Sequence, residues 1–271
     1  MLVQHHNIVQ HHDAQGTLQS DYIVTDYEEV SKQLMKHGIH MAFTGHTHLQ
    51  DIAQYRTITN KAQPDSLVDV ATGSAISYPN PWRTIKVNND FTEWQINTEY
   101  VTSIPSLSDV KSMCYNRLND NIKGGLGWHV KDGWSSIDKY RDALNALGLT
   151  REFLPETPEE LTDILTKYLG DQFSKMYMIL NEGNKWKNPE AAGLPALLKS
   201  NMEKMLRDRA ATVGVHDIQT GLLITTFNTI YKMRIEPGLK SVLTDVNQYK
   251  ALDKRLKSRT DDLNAVLRFD R

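Results

Sequence analysis

Residues 39–48 read Ile-His-Met-Ala-Phe-Thr-Gly-His-Thr-His, an apolar run that ends in a glycine and two spaced histidines. The run from Ile39 to Thr44 is short and apolar, which is typical of a buried β-strand. A helical pattern over residues 26–37 precedes it, and Gly38 is typical of a helix C-terminus. Helix, glycine, strand and a histidine-bearing loop in this order predict an α/β fold with a site where the strand ends.

Further β-type segments follow this loop, and turn-forming residues such as Pro79 and Asn80 separate them. The clearest alternation of apolar and polar residues lies in residues 92–101, which predicts a strand with one face in water. The predicted strands cover residues 51–58, 67–72, 84–87 and 92–101.

The pattern becomes helical after about residue 105. Thr157, Pro158 and Glu160 predict a helix start, with a threonine cap, a proline in the first position and a glutamate in the third. Apolar residues at helical spacing predict helices over residues 161–169, 194–206, 218–231 and 239–252. The glycine- and tryptophan-rich residues 122–134 predict a loop.

These patterns predict two domains in the 271 residues, since domains usually contain roughly 100–200 residues. Residues 1–105 form a partial α/β domain, and residues 106–271 form an all-helical domain of about four to six helices. In the broad classes of protein folds, the expectation is α/β or α+β.

Composition limits the function classes. The formal net charge of −2 gives no reason to expect a nucleic-acid duplex or an anionic membrane surface as partner. The single cysteine, Cys114, excludes an internal disulfide and a cysteine metal cluster. This favours a cytoplasmic location, with export of a longer parent protein as the alternative. No run of about 18 apolar residues occurs, so we expect no membrane segment.

The Gly45-His46-Thr47-His48 loop carries the clearest chemical signal. Imidazole is a good ligand for divalent first-row metals, and residues two apart on an extended segment point to the same side. Gly45 is expected to relieve the backbone so that both rings approach one point. The alternative is that these histidines are solvated loop residues.

A second histidine group, His5-His6-Asn7, follows another predicted strand. His11 and His12 come one short segment later, where they could contact substrate or donate a proton, or could be solvated loop residues. Two roles are open for Asn7 as well: it lies near the substrate, or it holds the turn.

Together the two groups resemble the last two motifs of the calcineurin-like metallophosphoesterases. By that resemblance His6 and His46 bind one metal and His48 the other, the metals being Mn, Fe or Zn, and His5 and Asn7 lie near the substrate. Residues 43–52 and 71–79 are similar to the bacterial cyclic-nucleotide phosphodiesterase branch, whose members carry a helical C-terminal domain. The resemblance implies an α/β sandwich that hydrolyses a nucleotide or other phosphodiester with metal-activated hydroxide.

The family's earlier motifs, Asp-x-His, Gly-Asp-x-x-Asp and Gly-Asn-His, do not occur in these residues, and Gly170-Asp171 is not followed by the required residues. A two-metal site needs a carboxylate to hold the ions roughly 3.5–4 Å apart. We therefore expect the C-terminal portion of such an enzyme, inactive alone and holding at most one weak ion. Its expected partner is the missing N-terminal half or a second copy of the chain.

The alternative belongs to another functional class. It is a non-catalytic helical interaction module that keeps a vestigial phosphatase remnant.

Overall fold

The computed structural model describes residues 1–12, 15–56, 66–146, 149, 151–243 and 264–268. This part of the chain contains eight α-helices and two β-sheets, so the predicted mixed α and β class is confirmed. The described chain divides into two compact units. Unit 1 comprises Met1–Tyr115, Met178–Ala191 and the described residues of Ser241–Arg271, and unit 2 comprises Asn116–Tyr177 and Ala192–Lys240.

The first sheet of unit 1 has the strand order β1-β2-β4-β3, in which β1, β2 and β4 are parallel and β3 is an antiparallel edge strand. The predicted strands around residues 39–44 and 67–72 are confirmed, and the one predicted over residues 51–58 is confirmed for its described residues 51–56. The bounds are Leu2–Val3 for β1, Met41–Thr44 for β2, Asp51–Arg56 for β3 and Ser66–Ala71 for β4.

The second sheet of unit 1 is antiparallel, in the order β5-β6-β7. Trp94 and Ile96 are buried while Gln95 and Asn97 between and after them are exposed, which confirms the predicted alternation. The prediction that residues 106–271 are all-helical is wrong for strand β7, which pairs with β6 of the α/β part instead. The bounds are Pro81–Val87 for β5, Glu93–Tyr100 for β6 and Asn264–Arg268 for β7.

The first sheet is covered on both faces, as the apolar character of its strands requires. On one face Val68 and Val70 pack with Trp94 and Ile96, so the two sheets of unit 1 lie face to face. On the other face Leu67 packs with buried residues of the chain after β1 and of helix α2. These partners are Ile8, Val9 and Met35.

Two helices lie between β1 and β2, a short α1 (Gln15–Leu18) and α2 (Tyr27–Lys36), which matches the helix predicted over residues 26–37. Helix α2 is followed by Gly38 at φ +74°, the left-handed conformation expected at a helix C-terminus. Six more helices follow strand β6. They are α3 Val110–Gly133, α4 Ile137–Ala146, α5 Pro158–Glu182, α6 Pro189–Thr212, α7 Asp217–Ile230 and α8 Glu236–Leu243.

The predicted helices over residues 161–169 and 194–206 are confirmed by α5 and α6, and the one over residues 218–231 by α7 and the turn after it. The prediction over residues 239–252 is described only as far as Leu243, and residues 57–58 of the predicted strand also lie outside the described part. No helix in the described part of the chain is both long and apolar enough to cross a membrane.

The prediction of a loop over residues 122–134 is wrong, because residues up to Gly133 belong to helix α3. Each glycine disfavours a helix by about 1 kcal/mol relative to alanine, but tertiary packing overrides this preference. At Gly127 a Cβ atom would lie 3.3 Å from the Thr162 methyl carbon of α5, so the missing side chain permits a close approach. Trp128 is exposed on this helix.

The sequence analysis predicted two consecutive domains, residues 1–105 and 106–271. The two compact units of the structure are not consecutive in sequence. Unit 1 takes up Met178–Ala191, a segment inside the helical region, in addition to residues 1–115. The segment supplies Lys185, which becomes important for the site.

Candidate functional site

The two histidine-bearing turns lie at the carboxyl ends of neighbouring strands. Strands β1 and β2 are parallel, so the turn with His5 and His6 and the turn with His46 leave the sheet at the same edge. The backbone amide of Gly45 donates to the carbonyl oxygen of His5 over 3.0 Å, which joins the turns directly. The parallel register of β1 and β2 therefore brings the two histidine-bearing turns to one edge of the sheet.

Three imidazole rings approach one another at this edge. The ring centroid of His46 lies 4.4 Å from that of His5 and 4.6 Å from that of His6, and the His5 and His6 centroids are 5.4 Å apart. We call His5, His6 and His46 the histidine cluster. His5 and His6 are exposed and His46 is half-buried, so the cluster faces solvent.

Tyr22 is a member of this surface that the sequence analysis did not predict. Its ring stacks on that of His46 with a centroid distance of 4.3 Å and an interplanar angle of 27°. The backbone N–H of Asn7 donates to the Tyr22 carbonyl oxygen over 3.1 Å, which pairs the segment around Tyr22 with the turn after β1 and places the ring beside His46. No local pattern around Tyr22 signals this non-local pairing.

His48 is exposed, and its charge acts on His46, but the segment joining the two is not extended. Both residues adopt the left-handed conformation, with φ of +61° at His46 and +57° at His48. The expectation that Gly45 relieves the backbone so that both rings approach one point is therefore wrong. Its own φ is not positive, and a Cβ atom there would meet the Thr72 carbonyl oxygen at an ordinary 3.7 Å.

Partial burial, together with the nearby positive charges of His5, His6 and His48, lowers the pKa of His46. Several imidazoles in close proximity cannot all carry a proton without mutual repulsion. A neutral imidazole presents a free nitrogen lone pair, which is the form that ligates metals.

Behind the cluster lies a second group of polar residues, which is buried. We call His11, Asp51, Asp69 and Lys185 the buried ionic network. Each of the four is at most 5 % exposed, and two carboxylates balance two basic side chains. Buried charges are tolerated when they are paired and hydrogen-bonded in this way.

His11 bridges the two carboxylates. Its Nδ1 lies 2.5 Å from Asp51 Oδ2, and its Nε2 lies 3.5 Å from Asp69 Oδ2, a looser contact of ion-pair type. Burial by itself lowers the pKa of His11, but the interactions with Asp51 and Asp69 outweigh it and raise the pKa to about 9. His11 is therefore an imidazolium held inside the protein, where it does not face solvent.

Lys185 closes the network from the Met178–Ala191 segment. Its Nζ lies 3.3 Å from Asp51 Oδ1 and also donates to the His11 carbonyl oxygen over 3.3 Å. Burial alone raises the pKa of Asp51, but the charge of Lys185 and the hydrogen bond from His11 hold it well below its usual range.

His12 is buried as well, and its Nε2 lies 3.0 Å from the side-chain oxygen of Gln19. Burial and the nearby charges of Lys185 and His11 lower the pKa of His12 to about 4. The pKa values of the adjacent residues His11 and His12 are therefore shifted in opposite directions, upward for His11 and downward for His12. Neither ring is exposed at the edge of the sheet where His5 and His6 lie.

Asn7 is fully buried, and both ends of its side chain are used inside the protein. Its Nδ2 donates to Thr44 Oγ1 over 2.8 Å, and its Oδ1 accepts from Gln15 Nε2 over 2.9 Å. This is what the turn-holding reading of Asn7 requires. The amide ties the end of β2 to the turn after β1.

The histidine cluster alone does not match a two-metal centre. It offers imidazole nitrogens and no negatively charged ligand, and the buried carboxylates of Asp51 and Asp69 are already committed to the buried ionic network. Among the described residues, no three His, Cys, Asp or Glu side chains are grouped so that they could hold a metal ion.

A scan against protein-family models finds no match to this chain, and a search of curated proteins finds none either. The resemblance to metallophosphoesterases therefore remains an expectation from the sequence motifs.

Proposed function

We propose that this chain is the late-motif, C-terminal portion of a metal-dependent phosphodiesterase acting on cyclic nucleotides or related phosphodiesters, and that it is inactive alone. The observation that carries the proposal is the meeting of His5, His6 and His46 at the carboxyl ends of parallel β1 and β2. Sites in α/β sheets are built at this edge.

The residues present have limited chemical roles. Uncharged imidazoles of the histidine cluster are suited to ligate divalent cations or to hydrogen-bond a phosphoryl oxygen. The stacked ring of Tyr22 limits the movement of His46. The negative charge needed between two metal ions is the part that another polypeptide segment must supply.

The first experiment measures hydrolysis of bis(p-nitrophenyl) phosphate and cyclic AMP by the purified chain with added Mn²⁺. We expect no turnover above that of the metal alone. Robust turnover that His46→Ala abolishes would overturn the claim that the chain is incomplete.

The second experiment supplies the missing part. The coding sequence next to this chain is read in all frames for a segment with Asp-x-His and Gly-Asp-x-x-Asp, which is then co-expressed with the chain. We expect hydrolysis that His46→Ala abolishes and that His37→Ala, a substitution of an exposed histidine outside the cluster, leaves intact. If no such segment exists, or if it restores no turnover, the non-catalytic helical interaction module becomes the better reading.

A further inference from the structure

We propose that Asp69 is the positioning residue of the histidine cluster, because its two carboxylate oxygens each hold one of the two histidine-bearing turns. The role assigned to the cluster rests on the proposed function, but the geometric claim does not. Asp69 is completely buried in the middle of β4, where its neighbours Val68 and Val70 are apolar. A carboxylate at such a position is stable only with dedicated partners.

One oxygen holds the turn after β1. Asp69 Oδ2 accepts hydrogen bonds from the backbone amides of Ile8 over 2.7 Å and Val9 over 3.0 Å. These amides directly follow the His5-His6-Asn7 turn, and bonds from two N–H groups to one charged oxygen are strong. The path of the chain beyond His6 is thereby fixed against the sheet.

The other oxygen holds the end of β2. The Thr44 hydroxyl donates to Asp69 Oδ1 over 2.6 Å and accepts from Asn7 Nδ2 over 2.8 Å. Thr44 is the last residue of β2, two positions before His46. The chain Asn7 to Thr44 to Asp69 therefore links the first turn to the second through side chains whose hydrogen bonds are all inside the protein.

The charge of Asp69 is supported by the buried ionic network. His11 Nε2 lies 3.5 Å from Asp69 Oδ2, and Lys185 forms an ion pair with Asp51. The two carboxylates are thus matched by two basic side chains. A neutral side chain of the same shape would present an acceptor on one side and an amide donor on the other. Only one of its two ends could accept. With its oxygen toward Ile8 and Val9, its amide would donate to the Thr44 hydroxyl, and the hydroxyl proton would lose the acceptor that Asp69 Oδ1 provides.

The test compares Asp69→Asn with Ile96→Ala, which creates a cavity in the core between the two sheets and touches neither turn. Far-UV circular dichroism first establishes that both variants are folded. Proton NOEs then report the ring contacts of Tyr22 with His46 and of His6 with His46, and hydrogen exchange reports the amides of Ile8 and Val9.

We expect Asp69→Asn to lose these NOEs and to speed exchange at the two amides by about tenfold or more. Ile96→Ala should keep the NOEs even though it lowers stability, so a general loss of stability is separated from lost positioning. Asp69→Asn with unchanged NOEs and exchange would overturn the inference, as would Ile96→Ala losing the ring contacts.

A second variant, Thr44→Val, keeps the inference testable if Asp69→Asn does not fold. It removes the hydroxyl that donates to Asp69 Oδ1 and accepts from Asn7 Nδ2, and it leaves the bonds of Ile8 and Val9 to Asp69 Oδ2 in place. We expect it to weaken the NOEs of His46 while Ile8 and Val9 keep their slow exchange. Unchanged His46 contacts in this variant would count against the role of Asp69. These NMR results do not depend on turnover, so failed complementation with altered NOEs would reject only the proposed function.

Discussion

Histidines occupy two contrasting environments within a few residues of each other in this protein. In the histidine cluster, His5 and His6 are exposed and have imidazoles as neighbours, and the Tyr22 ring stacks on His46. In the buried ionic network, His11 is enclosed by two carboxylates, and the same side chain becomes a buried cation. The first environment leaves ring nitrogens open to a ligand, and the second commits them to the fold. Environment, not residue type, assigns the role.

The largest effect is expected for Asp51→Ala, which disrupts the buried ionic network and leaves the histidine cluster unchanged in sequence. This substitution leaves His11 and Lys185 without their shared carboxylate, and removing one partner of a buried ion pair destabilises a protein by about 3–5 kcal/mol. Urea or guanidinium unfolding followed by circular dichroism measures the loss.

The matched control is Asp171→Ala, at a side chain that is 79 % exposed and paired with Lys123 on the surface. We expect its stability to change by no more than about 0.5 kcal/mol. Equal effects of the two substitutions would mean that the buried network contributes no more than a surface ion pair.

The second prediction concerns alkaline pH. The folded-state pKa of His11 is about 9, above its ordinary value of 6.5, so the folded state binds this proton more tightly than the unfolded state. The resulting stability is fully present below pH 6.5 and is lost as the pH rises through 9. A shift of this size corresponds to roughly 3 kcal/mol.

Unfolding free energies measured at intervals from about pH 6 to about pH 10 test this linkage. His11→Gln should be less stable than the natural chain at the lower pH but should lack this alkaline decline. Parallel curves for the two proteins would show that His11 does not hold the extra proton.

The smallest effect is expected for His6→Ala. His6 is exposed and makes ring contacts without a buried hydrogen bond, so its loss should change the free energy of unfolding by no more than about 0.5 kcal/mol. His11→Ala is the matched substitution at a buried site and should cost several times more. Similar losses at both positions would remove the distinction between the cluster and the network.

Local patterns were sufficient for much of the fold. The apolar run before Gly45 became β2, the alternation over residues 92–101 became β6, and the Thr157-Pro158 start began α5. Each pattern reflects near neighbours along the chain, where helix and strand periods apply. The loop predicted over residues 122–134 was wrong because glycine content is a weak signal that longer-range packing can override. Within α3, Gly127 fits close to Thr162, which is far away in sequence.

The candidate site divides in the same way. The sequence placed a histidine group after each of two strands, and only the family resemblance paired His6 with His46. The structure adds that the two strands are parallel and end at one edge. Asp69 carried a signal that could have been used, a charged residue within the apolar run of β4. Lys185 carried none, because it reaches Asp51 across 134 residues of sequence.

The sequence by itself determined which segments become strands and helices, and it determined that histidines stand at the ends of β1 and β2. Only the tertiary structure decided that His5 and His6 face solvent while His11 and His12, a few residues later, are enclosed. The physical reason is that burial and charge partners come from distant segments, from Asp51, Asp69 and Lys185 above all. The pKa and accessibility of an imidazole depend on those partners rather than on its neighbours in sequence.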